Sequence, residues 1–60
     1  MKKFYSVIEV AEILSISYRR VLDLIALGEI QAVRIGNLYR ISPYSLDQFL
    51  KEKQVKSFWK

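Results

Sequence analysis

The sequence predicts a small, mainly α-helical domain carrying one β-hairpin, in the order helix, tight turn, helix, hairpin, helix. Three observations lead there. Apolar residues recur at helical spacing in three stretches, each preceded by a serine able to cap it. Between the second and third stretches the period changes to two, around Gly36-Asn37. With 60 residues, 52% of them hydrophobic, the chain can build one compact core and no more. A single domain over residues 1–60 is expected, with its core in 5–50 and a tail over 54–60.

Ser6-Val-Ile-Glu9 has the pattern of a capping box, in which Ser6 caps and Glu9 reaches back. Val7, Val10, Ala11 and Leu14 then mark one face of a first helix over 7–14. Phe4 or Tyr5 is placed to pack ahead of the cap, and Ile8 and Ile13 flank the core stripe. Ser15-Ile16-Ser17 breaks the pattern, and Ser17 caps a second helix from Tyr18 to Leu27. Gly28 comes next, where a left-handed C-terminal cap favours glycine. Val21, Leu24 and Ile25 face inward; Arg19, Asp23 and Ala26 fall opposite, with Arg20 and Leu22 on the shoulders.

From Ala32 to Ile41, apolar residues alternate with Arg34 and Arg40. A two-residue loop at Gly36-Asn37 would pair Arg34 with Tyr39 and mix the two faces. An odd loop or a bulge would instead pair Val33 with Ile41 and Arg34 with Arg40, sorting apolar from basic. The sorted arrangement is the expectation, with Tyr39 on its core face and two arginines directly opposed outside. Ser42-Pro43 opens a third helix, with Leu46, Phe49 and Leu50 inward. Beyond it, Phe58 and Trp59 stand outside any repeating pattern. Trp59 is expected to fold back onto the core; Phe58 fits either a core or a contact role.

Composition removes most functions. The chain has neither His nor Cys, so its serines have no imidazole base, and disulfides and thiolate or imidazole metal sites are excluded. Glu9 and Glu12 are better read as solvated surface charges than as a catalytic pair. No enzyme, cofactor or small-molecule ligand is expected. Lys2 and Lys3 begin like a secretion signal, but Glu9 and Glu12 interrupt the apolar run, and no apolar stretch reaches bilayer length. The expected setting is the cytoplasm, away from membranes.

The charge is more informative. The net charge is +4, from 10 Lys+Arg against 6 Asp+Glu. Every arginine lies in the second helix or the hairpin, and every lysine lies toward a terminus. Arg19 and Arg20 in the first helical turn oppose the helix dipole, and Arg34 facing Arg40 would repel; an anionic partner would offset both. Two short helices joined by a tight turn, the second basic at its start, describe a helix-turn-helix, and the basic hairpin describes a wing.

The ordered set Tyr5-Ser-Val-Ile-Glu-Val-Ala-Glu-Ile-Leu14, Ile16-Ser17, Val21, Leu24-Ile25, Gly28-Glu-Ile30, Val33-Arg-Ile-Gly36, Tyr39-Arg-Ile41 and Leu46 with Phe49-Leu50 resembles the excisionase-type, MerR-like winged helix-turn-helix family over roughly residues 5 to 50. Its helix-turn-helix spacing falls on Ala11, Ser15 and Val21, and many such proteins have glycine where this chain has Ser15. The resemblance implies binding to double-stranded DNA through Tyr18, Arg19, Arg20, Leu22 and Asp23 of the second helix and through Arg34, Asn37 and Arg40 of the wing. Leu22 and Asp23 depart from the aromatic and basic residues frequent at those positions. Chemically, Arg19 suits guanine O6 and N7, and Asp23 suits the cytosine amino group.

The chain ends about where such a domain ends, leaving no room for an effector pocket or a coiled coil. That points by analogy to an excisionase, a recombination directionality factor. Such a protein binds and bends attachment-site DNA, with further copies of itself, to assist a tyrosine integrase. A small transcriptional regulator of the same fold is the alternative, and a protein-interaction module is a third reading.

Overall fold

A computed structural model of the chain describes residues 3–54. Its elements are α1 (Val7–Leu14), α2 (Tyr18–Ala26), β1 (Val33–Ile35), β2 (Leu38–Arg40) and α3 (Pro43–Glu52). This is a winged helix-turn-helix, the fold class expected from the sequence. The tail residues Phe58 and Trp59 lie outside the described residues.

Each helix starts on the serine that the sequence offers. Ser6 Oγ accepts from the Glu9 amide at 3.1 Å while the Ser6 amide donates to the Glu9 carboxylate at 2.9 Å, which completes the capping box. Ser17 Oγ accepts from the Arg20 amide, and Ser42 Oγ from the Ser45 amide, both at 3.0 Å. Pro43 occupies the first turn of α3, where its missing N–H leaves no bond unmade.

α1 and α2 also end alike. The Ile16 amide donates to Ala11 O at 3.0 Å and the Glu29 amide to Leu24 O at 2.9 Å, each bond closing over a residue in the left-handed region. In α2 that residue is Gly28, with φ +80. In α1 it is Ser15, with φ 59, the one non-glycine at positive φ among the described residues. The tight turn thus takes its usual form without the usual glycine.

The core gathers Val7, Val10 and Ala11 of α1, Val21 and Leu24 of α2, Leu46 of α3, and Ile30 and Ile41 from the connecting segments. Removing such an aliphatic side chain from water contributes roughly 1.5–3 kcal/mol. Tyr5, Ile25, Tyr39 and Phe49 pack half-buried around it. Tyr5 and Ile41 also exchange backbone hydrogen bonds at 2.7 and 2.9 Å, which fastens the base of the wing to the start of α1. Leu50, expected on the inward stripe of α3, is exposed and stands outside this core.

The hairpin register differs from the sorted arrangement. β1 and β2 pair Val33 with Arg40, Arg34 with Tyr39 and Ile35 with Leu38, around a two-residue loop. Gly36 is at φ +62 and Asn37 is not at positive φ, the signs of a type II′ turn, whose twist suits adjoining strands. Arg34 and Arg40 therefore lie on opposite faces and do not repel across the ladder. Val33, Ile35 and Leu38 share the outer face and are 51%, 59% and 56% exposed. Only the base of this short hairpin, Ile41 with half-buried Ala32 and Tyr39, reaches the core. Toward the tip there is no burial to reward sorted faces, and the turn sets the register.

Candidate nucleic-acid interface

Burial of Val21 and Leu24 fixes the rotation of α2. It turns Arg19, Asp23 and Ala26 away from the core, with Tyr18 and Leu22 toward the wing and Arg20 and Leu27 on the other flank. No acidic residue stands in the first turn, where the dipole favours one. Arg19 Nε lies 3.5 Å from Asp23 Oδ1 one turn on.

Tyr18 and Leu22 meet the wing across an open groove of about 280 Å³, whose other walls include Ile8, Asn37, Leu38, Tyr39 and Arg40. Arg40 Nη1 donates to Tyr39 O at 3.5 Å. On the other face of the hairpin, the Arg34 guanidinium sits 5.8 Å from the centre of the Tyr39 ring, and its Nε donates to Gly36 O at 3.3 Å. The stacking and the bond hold a charged fork at the tip of the wing while leaving it exposed.

Four of the residues expected to touch DNA, Tyr18, Leu22, Asn37 and Arg40, thus line a single groove. Arg19 and Asp23 form an ion pair with each other on the adjoining outward face. Arg34 is on the wing but faces away from Arg40. Arg20 is set apart: it lines a second groove with Leu14, Ile16, Leu27, Phe49 and Lys53. Lys53 there bonds Glu29 at 2.7 Å.

Five lining residues of the groove are not site residues expected from the sequence; of these, Ile8 and Leu38 are the exposed apolar ones. Ile8 carries a usable signal, since it falls off the stripe of Val7, Val10, Ala11 and Leu14 and so has to face solvent. Leu38 carries none until the hairpin register is known.

The groove combines two tyrosine rings and aliphatic walls with a guanidinium and a side-chain amide. Such a lining can meet thymine methyl groups and phosphate oxygens together. Among the described residues no cluster of His, Cys, Asp or Glu could hold a metal ion. None of their helices is long and apolar enough to cross a membrane.

A family model described as a helix-turn-helix domain aligns with residues 4–54. No curated protein and no solved structure matches the chain.

Proposed function

The chain belongs to the helix-turn-helix domain family, a DNA-binding family, and from that premise we propose that α2 reads base edges in the major groove while the wing grips the flanking backbone. One observation carries the reading. Arg40 of the wing and Tyr18 and Leu22 of α2 face a common groove, and Arg19 projects beside it from the outermost face of the helix. In this reading Tyr18, Arg19 and Leu22 meet bases, with Asp23 beside Arg19 on the same face, while Arg20, Arg34, Asn37 and Arg40 meet phosphates. The whole chain acts as one DNA-binding unit.

The finer role we propose is that of an excisionase, which bends attachment-site DNA to assist a tyrosine integrase. Its support is the resemblance of residues 5 to 50 to excisionase-type domains. A plain transcriptional regulator would use the same surface.

A mobility-shift titration against random duplex at rising salt tests DNA binding. The expected result is a shift at low salt that weakens steeply as salt is added. No shift at any salt would favour a protein-interaction module instead. Once a selected site is in hand, placing it at varied positions within a fragment measures bending. Position-dependent mobility supports the architectural role, and uniform mobility favours the regulator.

A further inference from the structure

We infer that Asp23 is a positioning residue: it engages the Nε edge of Arg19 and so presents the two Nη groups outward for paired bonding to a guanine. The inference rests on the DNA reading above and deepens it, because it concerns how one base is told from another.

Geometry supplies the first argument. Asp23 Oδ1 approaches Nε at 3.5 Å, and no other described residue is paired with Arg19. The Nη amino groups are left open. Guanine O6 and N7 accept from two side-by-side donors, which the end of a guanidinium provides.

Folding stability does not account for the pair. Its side chains are 83% and 49% exposed, and an exposed ion pair adds little to stability. The order is also the less favourable one on a helix, with the base N-terminal to the acid. Arg19 sits in the first turn, where the dipole disfavours it.

Binding supplies the remaining argument. A carboxylate on a face that approaches DNA repels every phosphate, whatever the sequence. Its favourable effect can reach the complex through Arg19, whose long side chain must otherwise be ordered when it meets a base. Asp23 therefore weakens non-specific binding and sharpens the guanine contact, and both changes raise discrimination.

The test uses the full chain, a randomised duplex pool taken through rounds of selection and sequenced, and a random-sequence duplex for bulk affinity. The parent should enrich guanine at a position where Arg19→Ala abolishes the preference. Asp23→Ala should lower that same preference by roughly tenfold, within what one paired base contact supplies. It should at the same time tighten binding to random duplex and leave the melting temperature within a degree or so of the parent. Asp23→Glu should restore part of the preference. In the double variant Arg19→Ala/Asp23→Ala, the second change should add nothing at that position.

An undiminished guanine preference in Asp23→Ala would overturn the inference. So would an effect at a different base pair that adds to that of Arg19→Ala, since Asp23 would then read a base directly. If the parent enriches no sequence and binds no duplex, the DNA reading itself fails and the inference with it.

Discussion

Ser15 and Gly28 occupy equivalent places, each closing a helix in the left-handed region, and they differ in what that conformation costs. An L-residue there carries roughly 1–2 kcal/mol of strain, while glycine carries none but loses more freedom on folding. Ser15→Gly should therefore stabilise the domain by about 0.5–1 kcal/mol. For a domain of this size that is a rise of a few degrees in Tm, read from a thermal melt. Gly28→Ala should do the reverse and cost about 1 kcal/mol. A methyl group at Gly28 would meet no atom within 4 Å, so that loss is backbone strain alone. Equal melting temperatures for Ser15→Gly and the parent would mean that the turn relaxes to another conformation. The serine is legible in the sequence as the residue that stands where glycine is frequent. Its energetic consequence required the observed φ.

The hairpin separates what local chemistry decides from what packing decides. With Ile35 outside and Ile41 within the core, Ile35→Thr should change stability by no more than about 0.5 kcal/mol, whereas Ile41→Ala should cost roughly 2–5 kcal/mol. Urea titrations of the two variants check the pair; a large loss from Ile35→Thr would place the outer face against something that covers it in solution. The helices were readable because their signals are local: Ser6 with Glu9, Ser17, and Ser42 with Pro43 each act within one turn of chain. The strand register was not, because period-two alternation predicts burial only where a core lies within reach. Val33 and Ile35 are apolar and alternate correctly, yet they stand on the outer face of the hairpin, away from the core. The same limit applies to the candidate site. Arg19 and Asp23 follow from the helical wheel once Val21 and Leu24 are inward. The meeting of Tyr18 with Arg40 depends on where the wing folds, which no local signal records.

At the scale of the molecule, ion pairing distinguishes the cations of α2, the wing and α3. Arg19, Lys51 and Lys53 each have a carboxylate partner, Asp23, Asp47 and Glu29 in turn. Among the described residues Arg20, Arg34 and Arg40 have none, so these three guanidinium groups keep their full charge toward a polyanion. Bringing such a group to a phosphate releases condensed counterions, and the slope of log K against log salt falls by about 0.9 for each phosphate no longer neutralised. We therefore predict that Arg34→Ala and Arg40→Ala each flatten the salt dependence by about that amount on random duplex, and that together they remove about twice as much. The proposed phosphate role of Arg20 predicts the same for Arg20→Ala. Its place in the groove beside Phe49 and Lys53, away from Tyr18, makes that variant the most discriminating of the three. A parent-like slope for Arg20→Ala, beside flattened slopes for the wing variants, would confine DNA to the wing side of α2. The wing arginines do not face one another, so their removal brings no relief of repulsion; without the Arg34 stack on Tyr39, stability should instead fall slightly. Parent-like slopes in both wing variants, with a clear drop in Tm, would make these arginines parts of the hairpin's own structure and leave α2 to bind DNA without a wing.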